Sequence, residues 1–205
     1  PGLSESAERF GEPRLIRPLN LPSGTPGRGA SVYEVPGGRH ILIVQVLGRI
    51  FMDPLDDPFT AAAGALAAHT LGGSVNAIFV DMHAEATSEK MAIGHYLDGK
   101  VSCVFGTHTH VPTVDHQILP GGTGYMSDVG MCGDYDSVIG MEKAEPVRRF
   151  TRKMPGAHFA PATGEATLCG IYLEIDDNTG LTTYLAPLRQ GGRLDSAWPL
   201  PGESN

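Results

Sequence analysis

The sequence predicts an α/β fold built around parallel strands. Three observations carry this. Residues 77–80 and 101–105 are short apolar runs joined by a helical stretch at 88–97. Together they make a strand–helix–strand unit, which implies a parallel pair with a right-handed crossover. Residues 41–47, Ile-Leu-Ile-Val-Gln-Val-Leu, are almost wholly apolar, as in a strand buried on both faces. Finally, runs at 166–175 and 181–188 flank Asp176-Asp177-Asn178-Thr179-Gly180 and read as a hairpin.

The elements follow in order. Residues 1–30 are rich in Pro, Gly and Arg and read as a connecting segment. Residues 32–35, the turn Pro36-Gly37-Gly38 and residues 41–47 make a first hairpin. Asp57 is placed to cap an Ala-rich helix over 58–68, with Pro58 at its first position and Gly72-Gly73 beyond it. The second helix stops at Asp98-Gly99, where glycine supplies the left-handed terminal conformation. Residues 196–205 are polar and read as a loose tail. The 205 residues read as one domain, long enough to bury most of its apolar surface.

Composition narrows the function. The chain holds 15 Lys and Arg against 23 Asp and Glu, for a net charge of −8. That balance argues against a nucleic-acid polymer or an anionic membrane as partner. No apolar run reaches the roughly 18 residues of a membrane span, and no charged leader precedes an apolar stretch. Cys103, Cys132 and Cys169 are odd in number and widely spaced, which suits reduced thiols in the cytoplasm. The 27 glycines and 16 prolines sit between apolar runs and imply many ordered loops.

The chemistry gathers at two strand ends. The first strand of the crossover unit runs into Asp81-Met82-His83, the second into Gly106-Thr107-His108-Thr109-His110. Ligand crevices of open α/β sheets lie at the carboxyl ends of their strands. Neighbouring strands are about 4.8 Å apart, so His83 and His108 can meet. Extended residues two apart face one side, so His110 is expected to join them. Three imidazoles there suit a divalent transition metal. His40, His69, His95, His116 and His158 read as turn, helix or loop residues. Asp115-His116 lies several residues too far from His110 for the metallo-β-lactamase pattern, and the chain is short for a (β/α)₈ barrel. Glu85 and Glu89 read as helix-start carboxylates favoured by the dipole, in preference to partners of histidine N–H groups. Asp134-x-Asp136 lacks the remaining ligands of a calcium loop. Arg148, Arg149, Arg152 and Lys153 read as a solvated helix face, and Asp128-Val129-Gly130 as a shaper of the cavity wall.

Longer motifs add a resemblance. His83-Ala84-Glu85-Ala86-Thr87-Ser88-Glu89-Lys90, Gly106-Thr107-His108-Thr109-His110-Val111-Pro112-Thr113 and Asp128-Val129-Gly130-Met131 are similar to the YmdB-like family of calcineurin-like metallophosphoesterases. So are Arg17-Pro18-Leu19-Asn20, Gly24-Thr25-Pro26-Gly27-Arg28-Gly29 and Asp53-Pro54-Leu55-Asp56-Asp57-Pro58-Phe59, and the likeness covers nearly the whole chain in order. The resemblance implies a four-layer α/β/β/α sandwich and a phosphodiesterase acting on a small cyclic nucleotide through two metal ions. His83 and His108 would bind one metal and His110 the other. The ions would polarise phosphate oxygens and yield hydroxide by lowering the pKa of bound water. Iron or manganese is the family expectation, and zinc also fits histidine ligands.

The family pattern opens with a metal-binding Asp, then a Gly-Glu-Asn motif whose Glu bridges the metals. A Gly-Asn-His motif follows, carrying an Asn ligand and the acid His. None precedes Arg17-Pro18-Leu19-Asn20 here, so the resemblance implies a C-terminal portion lacking the first strands. No catalytic acid is assigned within this chain. Two alternatives stand beside the enzyme: a non-catalytic module binding metal or nucleotide, or an inactive C-terminal fragment. An unpaired sheet edge would leave room for a homo-oligomer.

Overall fold

The structure, a computed structural model, describes residues 9–154 and 156–199. Six strands form one sheet in the order β1-β2-β3-β4-β6-β5. They are β1 (Ala30–Val35), β2 (Arg39–Leu47), β3 (Ala77–His83), β4 (Cys103–Thr107), β5 (Gln117–Ile118) and β6 (Gly124–Met126). Strands β2, β3, β4 and β6 run parallel, with β1 and β5 antiparallel at the edges. A second, antiparallel sheet holds β7 (Gly133–Asp134), β8 (Ala166–Ile175) and β9 (Thr182–Gln190). The helices are α1 (Pro58–Leu66), α2 (Thr87–Tyr96) and α3 (Ala144–Arg152).

The expected mixed α/β class, the first hairpin, the parallel crossover pair and the last hairpin are all present. Asp57 caps α1 by accepting from the Thr60 amide at 3.0 Å, but α1 ends at Leu66, ahead of residue 68. Residues 17–29 lie along β2, with Leu19 N donating to Gln45 O and Gln45 N to Gly29 O. Of the expected loose tail, residues 200–205 lie outside the described residues, as do residues 1–8 of the connecting segment.

Strand β2 departs from expectation in an informative way. Leu42, Val44 and Val46 are fully buried, whereas Ile41, Ile43, Gln45 and Leu47 are half-buried. The buried set packs with Ile78, Val80, Met82 and Val104 against Ala62 of α1 and Ile93 of α2. The opposite face is covered at its lower end by the second sheet, where Leu173 and Ile175 lie near Ile41 and Phe79. Ser102 and Thr182 stitch that contact: Thr182 Oγ1 donates to Ser102 O, and Ser102 Oγ to Gly180 O, both at 2.6 Å. The upper half of this face holds polar side chains at the carboxyl ends of the strands.

The three cysteines are free, as expected. Burial pushes the Cys103 thiol up to about 12, so it stays protonated as a small apolar filler. Among the described residues, no helix is long and apolar enough to cross a membrane.

Candidate metal centre

The polar half-face is a hydrogen-bonded chain set by strand register. Gln45 pairs with Asp81, and His83 with Thr107, across β2, β3 and β4. Gln45 Nε2 donates to Asp81 Oδ2 at 2.8 Å, and Thr107 Oγ1 donates to Asp81 Oδ1 at 2.7 Å. With its hydrogen spent on Asp81, Thr107 Oγ1 accepts from His83 Nδ1–H at 2.9 Å. His83 therefore carries its proton on Nδ1, and its Nε2 lone pair faces outward. A fixed tautomer with one bare nitrogen is how proteins prepare a metal-binding histidine.

That lone pair meets His108. His108 Nδ1 lies 3.1 Å from His83 Nε2, and the rings stand edge to face at 85°. Glu85 Oε2 lies 3.1 Å from His108 Nε2. When Glu85 accepts from His108 Nε2–H, the Nδ1 lone pair of His108 faces that of His83 Nε2, an arrangement that a cation between the two imidazoles would satisfy. Two imidazole nitrogens on one tetrahedral ion lie about 3.3 Å apart, so this separation suits a shared ion. Burial favours the uncharged, ligating form of His83 and lowers its pKa; Asp81 opposes that and His108 adds to it. Burial likewise raises the Asp81 pKa, against the hydrogen bonds from Thr107 and Gln45.

His110 behaves differently from the extended-chain expectation. His108 and His110 both follow the end of β4 and adopt left-handed backbone, with φ of +103° and +66°. Their side chains are therefore not placed by strand alternation. His110 Nδ1 donates to Ile139 O at 2.8 Å, which leaves Nε2 bare. Thus His83 and His108 meet, while His110 prepares its own nitrogen on the far side of Thr109. Among the described residues, no group of three or more His, Cys, Asp or Glu side chains is gathered to hold one ion.

Strained backbone at two ligand candidates costs about 1–3 kcal/mol each and needs an anchor. The anchor is Asp128. Its Oδ2 accepts from Thr109 N at 3.0 Å, from Thr109 Oγ1 at 2.8 Å and from Lys90 Nζ at 2.9 Å, and its Oδ1 accepts from Gly130 N at 2.9 Å. Lys90 and Asp128 are each 1% exposed, so this is a fully desolvated ion pair with its remaining lone pairs used. Gly106 makes the approach feasible, since a Cβ there would collide with the Ser127 carbonyl.

Several residues take roles other than those read from the sequence. Glu85 precedes α2 and touches His108, so it is a histidine partner and not a helix-start carboxylate. Glu89 does lie in the first turn of α2, but it is buried and accepts from the Arg49 amide at 3.0 Å, closing the loop after β2. Asp134 accepts from the Asp136 amide to close a turn, and Asp136 pairs with Lys143. Arg149 is not a freely solvated cation: it pairs with Glu145 at 2.8 Å and stacks on Phe159. Sequence reasoning misses Gln45, Asp81 and Thr107, although two signals exist. Gln45 is the one polar residue of an apolar run, and Asp81 stands two before His83 on the same strand face.

Comparison with known proteins shows the family. A family model described as YmdB-like protein matches residues 5–188. A 2′,3′-cyclic-nucleotide 2′-phosphodiesterase from Bacillus subtilis (strain 168) is 47% identical over 167 residues, covering 82% of this chain and 62% of the relative. A solved structure of a hypothetical protein from Thermus thermophilus superposes with a TM-score of 0.84 at 45% identity, covering 93% of this chain and 72% of that one. A novel phosphatase from Mycoplasma pneumoniae gives 0.82 at 34% identity, covering 92% and 67%. The chain spans about three fifths of the length of the curated relatives it matches.

Proposed function

The chain belongs to the YmdB-like protein family, and on that premise we propose that it forms part of a metal-dependent phosphodiesterase hydrolysing cyclic nucleotides. The observation that carries the reading is the His83–His108 pair, with a bare nitrogen on His83 aimed at its neighbour and fixed by Thr107 and Asp81. His83 and His108 hold one ion, and His110 Nε2 contributes to a second. Bound there, such ions supply Lewis-acid polarisation of a phosphoryl oxygen and lower the pKa of water. Imidazole donors suit iron, manganese or zinc.

The chain's own residues hold and orient. Asp81 and Thr107 keep His83 in the ligating tautomer. Glu85 orients His108, and Asp128 with Lys90 keeps the 108–110 loop in its left-handed turns. The fold reading extends likewise. Helices α1 and α2 on one face of the first sheet and the second sheet on the other support the reading, since an α/β/β/α sandwich would need those three layers and one more. A cytoplasmic location suits the three free thiols.

The test is hydrolysis of a 2′,3′-cyclic nucleotide by the full-length protein. Turnover is expected to vanish in His108→Ala, together with loss of bound metal by elemental analysis. Unchanged turnover in that variant overturns the assignment, and tight nucleotide binding without turnover in the wild type favours a binding module instead.

A further inference from the structure

A second feature adjoins His110. The carbonyl that fixes its ring belongs to Ile139, whose φ is +48°. A β-branched residue in left-handed backbone is a genuine outlier. The Ile139 carbonyl accepts from the imidazole, and Ile139 also lines a cavity of about 520 Å³. Met141, Arg149, Phe150 and Phe159 share that lining, which is almost wholly apolar. Phe150 is 82% exposed, on a helix whose other side chains include Arg148, Arg149 and Arg152.

Arg149 is held flat here. Its Nε donates to Glu145 Oε1 at 2.8 Å and its Nη2 to Ala157 O at 2.9 Å, and its Cζ lies 4.0 Å from the Phe159 ring centre. A cavity with two exposed aromatic rings, Phe150 and Phe159, and a guanidinium stacked on the second offers planar surfaces to a planar ligand. Its volume falls within the range of small-molecule sites. It adjoins His110 through Ile139, whose carbonyl accepts from that imidazole, so a ligand reaching from His110 into it would place there a part other than its phosphate.

We propose that the cavity formed by Ile139, Met141, Arg149, Phe150 and Phe159 binds the nucleobase of the nucleotide whose phosphate lies at the histidines. This rests on the phosphodiesterase reading and adds the site of base recognition to it. The strained Ile139 links the two halves, because its carbonyl accepts from the His110 ring and the residue also lines the cavity.

The experiment compares two substrates in the full-length protein, adenosine 2′,3′-cyclic monophosphate and the base-free glycerol 1,2-cyclic phosphate. Phe150→Ala is chosen because so exposed a side chain contributes little to folding. The preference for the adenosine substrate, as a ratio of kcat/KM values, is expected to fall about tenfold, at the low end of base–aromatic stacking. An unchanged ratio overturns the proposal. If the wild type turns over neither substrate, the phosphodiesterase reading fails and the cavity is judged by itself, with adenosine as the probe. NMR saturation transfer to the adenine H2 and H8 protons, reduced in Phe150→Ala, then upholds the base site, and no transfer overturns it. Sedimentation showing a concentration-dependent dimer that Phe150→Ala dissociates also overturns it, since the cavity would then be an interface between copies.

Discussion

The two faces of the six-stranded sheet come from the same strands and serve opposite ends. On one face, Leu42, Val44, Val46, Ile78, Val80 and Met82 are excluded from solvent beneath α1 and α2. On the other, their chain neighbours Gln45, Asp81 and His83 form a polar chain with Thr107. The difference teaches how a reactive site is held still. Close packing fixes one side of each strand, and alternation then fixes the direction of the other side. Polar groups on the open face need only specify orientation. The Lys90–Asp128 pair joins the two regimes, since Lys90 belongs to the packed helix α2 and Asp128 grips the histidine loop.

Breaking that joint is expected to have the largest effect. Asp128→Ala leaves a buried lysine unpaired, which costs about 3–5 kcal/mol and is measurable by urea unfolding. Purely packed positions come next. Ile93→Ala is expected to cost about 2–5 kcal/mol while leaving turnover per folded molecule unchanged. If turnover falls with it, the two faces are not separable as described. The reverse pattern is expected on the open face. Thr107→Val keeps the shape but strands Asp81 and the His83 N–H, at about 1–3 kcal/mol. Its sharper signature is metal affinity, expected to drop roughly 10–100-fold in a chelator competition.

The smallest effect is a change of slope with pH. Burial works against ionisation of Asp115, but the hydroxyls of Ser127 and Thr113 and the Ser127 amide outweigh it and hold this carboxyl below its usual range. Its contribution to stability is thus complete above the unfolded value of about 3.9 and is lost as pH falls through the lower native one. Asp115→Asn is expected to flatten the acid side of the stability profile, followed by thermal melting between about pH 5 and pH 2.

Much of the fold is legible in the sequence because it is local. Asp57 and Pro58 announce a helix start, and Pro36-Gly37-Gly38 a turn, through backbone preferences that need no distant partner. The short strands β5 and β6 escape such a reading. Each has at most three residues, too few to show a period, and they exist because Leu119 N donates to Thr123 O across a tight return. Glu85 misleads for a related reason: its distance from α2 decides its role, and a helix boundary shifts by a residue or two without changing the sequence pattern.

The sequence by itself determined the crossover unit, both hairpins and the arrival of His83 and His108 at adjacent strand ends, because strand period and parallel spacing carry those consequences automatically. Tertiary structure alone decided which way His110 turns, which proton His83 keeps, and that Lys90 is buried against Asp128. Those outcomes depend on hydrogen bonds between residues 19–38 positions apart, and on a left-handed loop stable only while Asp128 holds it. No local pattern encodes such an anchor, because its strength comes from excluding water from both charges at once.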